Sequence, residues 1–140
     1  MFKTILVAVD GSPNSDRAIR AAAEMAAAHG SRLHICHVSH VPEHYAAHIS
    51  EVMRESIRSD GEEILAHAER VAGEFNVEVS KKLVDGDHPA ETIIDTAQKI
   101  GAGLIVTGVR GRTPDMGRSM GSVSVAIAMQ ARCSVMLVRH

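Results

Sequence analysis

Hydrophobic and polar residues along this chain fall into blocks of two kinds. Short apolar runs at residues 5–9, 33–38, 104–106 and 135–138 are separated by longer stretches where apolar positions recur every three or four residues. The first, third and fourth runs are nearly continuous, the pattern of strands buried on both faces. Residues 33–38 are more mixed. Residues 77–84 alternate apolar side chains with charges, as an edge strand does. Five strands are predicted.

The stretches between them read as helices. Ser12-Pro13 supplies an N-cap hydroxyl followed by proline at the first helical position. Ile19, Ala22, Ala23 and Ala26 form the inward stripe, Asp16 and Arg20 lie one turn apart outside, and Gly30 stops the helix. From Tyr45 the positions Ile49, Met53, Ile57, Ile64, Ala68, Val71 and Phe75 keep a period near 3.6, with Asp60-Gly61 as an expected break. A third helix runs from Pro89 through Ile93, Ile94 and Ala97 to Gly101. A fourth spans residues 119–132 with Val123, Ile127 and Ala131.

The order β-α-β-α-β-α-β-α-β predicts parallel strands, right-handed crossovers and helices on both faces. No repeat, linker or low-complexity stretch divides the chain, so residues 1–140 read as one doubly wound α/β domain. The segment 39–50 has the weakest pattern.

Composition narrows the function. Apolar residues make up 45% and charged residues 23% of the 140, which excludes a disordered or fibrous chain. No apolar run approaches the roughly 20 residues of a membrane span, and no secretory leader is expected. A formal net charge of −2 gives no electrostatic case for nucleic acid. With only Phe2, Tyr45 and Phe75 as aromatics, the core must be aliphatic, which weighs against functions that need stacking platforms, such as single-strand binding or a flavin held between rings. Cys36 and Cys133 form neither a C-x-x-C nor a disulfide framework. They read as small hydrophobes in a reducing cytosol.

In a doubly wound sheet, ligands bind beyond the carboxyl ends of the strands at the switch point. Two loops qualify: Asp10-Gly11-Ser12-Pro13 after the first strand, and the long segment from Thr107 to Ser124 after the fourth. The second holds glycines at 108, 111, 117 and 121, arginines at 110, 112 and 118, and hydroxyls at the mouth of a helix. Glycines let a backbone approach a phosphate closely, a helix N-terminus favours an anion, and arginines add charge-assisted bonds. A surface loop whose glycines merely make turns would share this composition.

The spacing decides between them. Gly108-x2-Gly111-x9-Gly121-Ser122 resembles the nucleotide-binding motif of the universal stress protein family, G-x2-G-x9-G-[S/T]. The opening strand and turn at residues 5–12, Gly86-Asp87-His88-Pro89-Ala90, and the closing strand at residues 133–138 are similar to the family's as well, so the likeness runs end to end. It implies an adenine nucleotide alpha hydrolase-like, Rossmann-like fold with strand order 3-2-1-4-5 and four helices on two faces. It implies that Val9 and Asp10 face the adenosine and that Val38 meets the adenine through its backbone. Thr107, Gly108, Arg110, Gly111, Arg112, Gly121, Ser122, Val123 and Ser124 would cradle ribose and phosphates. The implied ligand is ATP with Mg²⁺, held by a cytoplasmic regulatory or sensing module rather than an enzyme, with at most slow turnover and an unidentified protein partner. A homodimer through the edge strand at residues 135–138 is also implied. Asp115 departs from the pattern and would either repel phosphate or help hold Mg²⁺.

Rival motifs fail on position. No G-x4-G-K-[ST] is present, and Gly101-Ala102-Gly103 precedes a strand instead of following one. A response-regulator receiver would need a lysine after its last strand, where this chain has Arg139-His140. Ser12, His88 and Asp10 lack a nucleophile elbow, and Ser12 is explained as a cap. A dedicated ATPase or phosphotransferase would need a lysine in the phosphate loop or a group that activates water. That enzyme stays as the first alternative, and an interaction module that no longer binds nucleotide is the second. Histidine is over-represented, with His34, His37, His40, His44 and His48 in one stretch. If residues 43–49 are helical, His44 and His48 share a face at a metal-binding spacing; no cysteine or carboxylate completes a set unambiguously, Glu51 and Cys36 being the candidates, and a solvated histidine-rich loop is the plainer reading.

Overall fold

The computed structural model describes residues 2–41, 46–110 and 121–139. The elements run β1 (Thr4–Ala8), α1 (Pro13–His29), β2 (Arg32–Ser39), α2 (Glu51–Ala72), β3 (Glu78–Asp85), α3 (Pro89–Ile100), β4 (Leu104–Gly108), α4 (Ser122–Gln130) and β5 (Ser134–Val138). The strands form one sheet in the order β3-β2-β1-β4-β5, and every neighbouring pair is parallel. The predicted architecture is therefore the observed one, with β3 and β5 at the edges.

Two apolar layers hold the helices to the sheet. Alternate residues of the central strands face opposite ways. Ile5, Val7, Leu33, Ile35 and Val106 meet Ile19, Ala22 and Ala23 of α1 and Leu65, Ala68 and Val71 of α2. Leu6, Ala8, Cys36 and Ile105 meet Ile93 and Ala97 of α3 and Ile127 of α4. The alanine stripe of α1 is wholly buried: with no large side chain on it, the helix lies close to the sheet. Ser12 Oγ caps α1 by accepting from Ser15 N at 3.2 Å, and Gly30 ends it in the left-handed conformation at φ 65°.

The structure departs from the sequence expectations at two helices. The second helix does not break at Asp60-Gly61; it runs unbroken from the Ser50 cap to Ala72. Gly61 faces inward, where a Cβ would stand 2.8 Å from Leu83 Cδ1 and 3.2 Å from both His37 Cδ2 and Ser39 Oγ. The glycine leaves room there for the side chains of the strands beneath. Met53 was expected on the inward stripe but is exposed, as is every residue from Glu51 to Asp60 except half-buried Ile57. This part of α2 overhangs the sheet. The fourth helix is shorter than the predicted 119–132, because Gly121 and Ala131 both have extended backbone. As expected, Asp16 and Arg20 lie on the outer side of α1, where Asp16 pairs with His67 of α2 at 3.0 Å and Arg20 with Glu74, just after α2, at 2.7 Å.

Candidate functional site

The chain's turns at the carboxyl edge of the sheet enclose a cleft of about 680 Å³. Its floor is the ends of the central strands: Ala8 to Asp10 after β1, Cys36 to His40 along β2, and Thr107 and Gly108 of β4. The overhanging part of α2 forms one wall with Ile57, Asp60, Gly61 and Ile64, while Pro89, Ile93 and the first turn of α4 form the other. This is the switch point, because β1 sends its connection to one side of the sheet and β4 to the other.

The turn after β1 is fixed by its own polar groups. Asp10 Oδ1 accepts from Ser12 N at 2.9 Å, and Asp10 N donates to Ser15 Oγ at 3.2 Å. Gly11 takes φ 82°, a left-handed conformation that glycine adopts without a steric penalty. These bonds hold the Asp10 carboxylate at the cleft with only one oxygen engaged among the described residues. Ser12, which a hydrolase reading would make a nucleophile, is buried and spends its oxygen as the α1 cap.

On the opposite side, the chain between β4 and α4 is anchored by three bonds. Asn14 Nδ2 donates to the Arg110 carbonyl at 3.1 Å, Gly121 N donates to the Val109 carbonyl at 2.8 Å, and Ser124 Oγ donates to the Gly108 carbonyl at 2.7 Å. Among the described residues no side chain caps α4, whose N-cap is Gly121. The first-turn N–H groups of a helix have no partner within it, so those of Ser122, Val123 and Ser124 point to the cleft with the positive end of the helix dipole.

Val9, Asp10, Val38, Thr107, Gly108, Arg110, Gly121, Ser122, Val123 and Ser124 all line this one cleft. Gly111 and Arg112 lie outside the described residues, as do Asp115 and the rest of the glycine- and arginine-rich loop. Two details revise what individual residues do. The hydroxyl proton of Ser124 is spent on the Gly108 carbonyl, which leaves its backbone N–H as the group to offer a ligand. Gly108 is also favoured by packing, because a Cβ there would stand 3.1–3.3 Å from the Cβ, O and C atoms of Asn14.

The sequence missed the α2 wall and the two histidines in the floor. His37 Nδ1 lies 2.8 Å from the Val9 carbonyl oxygen and His40 Nδ1 lies 3.2 Å from that of Gly86. Their position at the end of β2, flanking Val38, was the available signal. His34 is elsewhere, paired with Ser80 Oγ at 2.8 Å, and burial lowers its pKa. Among the described residues no three His, Cys, Asp or Glu side chains are arranged to hold a metal; His44, and with it the His44–His48 pair, falls outside them. Cys36 lines the cleft as an inert group, since burial pushes its thiol up to about 11.

The fold is that of a doubly wound α/β domain, with its cleft open where the strand order reverses and beside a helix N-terminus that no described side chain caps. The chain belongs to the universal stress protein family, whose sequence profile matches residues 1–139. A universal stress protein of Bacillus subtilis, YxiE, is 33% identical, with 99% of this chain and all of that protein covered. A universal stress protein from Archaeoglobus fulgidus, solved in complex with dAMP, superimposes with a TM-score of 0.76 at 25% identity over 97% of both chains. Another, solved in complex with cAMP, gives a TM-score of 0.74 at 26% identity over 99% of this chain and 97% of its own. No helix among the described residues is long and apolar enough to cross a membrane.

Proposed function

We propose that this protein is a cytoplasmic ATP-binding regulatory or sensing module, in which ATP with Mg²⁺ acts as a ligand whose state is passed to a protein partner. The observation that carries this reading is the first turn of α4, which no described side chain caps and which opens into the cleft and directly follows the glycine-rich loop. An anion there would meet the N–H groups of Ser122, Val123 and Ser124 and the favourable end of the helix dipole. Arg110 lines the same side, and Arg112 with Gly111 completes the phosphate loop in sequence. Val9 and Asp10 then face the adenosine, Val38 meets the base through its backbone, and Thr107 and Gly108 border the ribose. The adenine nucleotides held by two related structures support the class of ligand.

Catalysis has little support. Residues 108–124 contain no lysine, whereas P-loop enzymes rely on one to stabilise charge on the transferred phosphoryl group. Any hydrolysis is slow. Acid release and chromatography of the nucleotide in freshly purified protein tests the reading. Bound ATP supports it, bound ADP points to turnover, and a protein that is empty and takes up no ATP overturns it.

We also propose a homodimer. β5 lies at the sheet edge with Val135, Met136, Leu137 and Val138 only half-buried, and neighbouring α4 exposes Val125 and Met129. An unpaired apolar edge invites pairing, and a twin β5 across a two-fold axis would close it. Light scattering that finds only monomer at micromolar concentration overturns this assembly.

A further inference from the structure

His37 immediately precedes Val38, so its side chain leaves β2 on the opposite face, toward α2. The Val9 carbonyl beside it can only accept, so Nδ1 carries the proton and, in the neutral ring, Nε2 holds the lone pair. Nδ1 is thus tied to Val9, and Cδ2 faces Gly61. The edge the ring has left for the cleft it lines is Cε1–Nε2. Asp60 enters the same cleft from α2, next to Gly61. This corner brings two acceptors to the cleft, the Asp60 carboxylate and the Nε2 of the His37 imidazole.

We infer that the corner reads the base of the bound nucleotide, with His37 Nε2 as the principal acceptor and Asp60 as the second for the exocyclic amino group of a 6-aminopurine. The inference rests on the nucleotide reading above and adds side-chain selection of the base. A 6-aminopurine presents N–H donors at the position where a 6-oxopurine presents a carbonyl oxygen. An oxygen there would face the lone pair of Nε2 and the Asp60 carboxylate, leaving all of them unpaired. Sites built to pair a polar group discriminate strongly against an analogue that cannot pair. The tie between Nδ1 and Val9 holds the ring in the tautomer that makes this possible. Gly61, having no side chain, lets α2 lie against the imidazole.

The test is titration calorimetry of nucleotide-free protein with ATP and with ITP, which differ at this position. The unmodified protein is expected to prefer ATP by at least about tenfold. In His37→Asn the amide nitrogen takes the place of Nδ1 and still donates to Val9, while nothing reaches the place of Nε2. Its ATP-to-ITP preference is expected to fall toward unity, through weaker ATP binding. His37→Gln returns an amide oxygen to the Nε2 position and should restore part of the preference. If His37→Asn keeps the original preference, or the unmodified protein binds ATP and ITP equally, base reading at this corner is overturned while nucleotide binding stands. If the unmodified protein binds neither, the nucleotide reading fails as well. Should His37→Asn not melt cooperatively, Asp60→Asn at an exposed helix position takes its place. A reduced preference then supports the inference and an unchanged one overturns it.

Discussion

Gly108, at the end of β4, lies tightly against Asn14 in the first turn of α1: a Cβ would meet Asn14 Cβ at 3.1 Å and its carbonyl oxygen at 3.2 Å, so Asn14 would have to give way by a few tenths of an ångström. Backbone atoms form part of that contact and cannot rotate aside. Gly108→Ala is therefore expected to lower stability by about 1–3 kcal/mol, the range for overpacking. Chemical denaturation with an unchanged m-value would register it. A variant as stable as the parent would mean that α1 can shift and that this glycine answers to the ligand alone.

Gly121 has a different part. It is the N-cap of α4, its φ of −65° is open to any residue, and it borders the cleft. Gly121→Val should leave unfolding cooperative yet reduce ATP affinity by at least about a hundredfold, since branched carbons would occupy the space of the phosphates. Ser122→Ala removes a hydroxyl but keeps the backbone donors, so its cost stays within about 1.5–3 kcal/mol of binding. Calorimetry with ATP gives the ordering. Tight ATP binding by Gly121→Val would place the nucleotide elsewhere.

The two ends of the nucleotide are separable by ligand length. Arg112→Ala is expected to weaken ATP more than AMP, because a guanidinium in the phosphate loop addresses the tail. Asp10→Ala should weaken ATP, ADP and AMP by similar factors, as a contact to adenosine would. Competition binding against the three nucleotides checks both. If Asp10→Ala acted on ATP alone, its carboxylate would belong with the phosphates and their Mg²⁺.

Cys36 offers a test of the core. Its thiol is buried and pushed up to about 11, so almost none is thiolate at neutral pH. Native protein should leave Cys36 unlabelled by a thiol reagent at pH 8 until denaturant is added. Burst labelling of this residue in native protein would show that the cleft floor opens.

How much of this was legible in the sequence depended on whether a residue's meaning was local. The strands could be read within a residue or two because runs such as Ile5-Leu6-Val7 have only one plausible environment. The caps Ser12 and Gly30 carry their reasons in adjacent residues. Gly61 does not. Within a helical stripe it looks like a breaker, and only the approach of Leu83 and Ser39 from other strands makes it a contact point. The same limit applied to the site. Glycine spacing exposed the loops after β1 and β4, but Asp60 and Ile57 reach the cleft because α2 outruns the sheet, and no periodicity reports that. His37 was visible only as one of many histidines; its bond to Val9 depends on the pairing of β1 with β2.

The overhang of α2 divides one helix into two energetic regimes. From Gly61 to Ala72 it is locked by buried Leu65, Ala68 and Val71, whereas from Glu51 to Asp60 it rests on little besides Ile57. Amide protection should therefore step along the helix, with exchange in the outer turns governed by local fraying and in the inner turns by global unfolding. A wall hinged in this way can admit a ligand without loosening the core. Part of the affinity would then be set by the entropy of ordering that outer segment, and a bound nucleotide would announce itself as slowed exchange far from its phosphates.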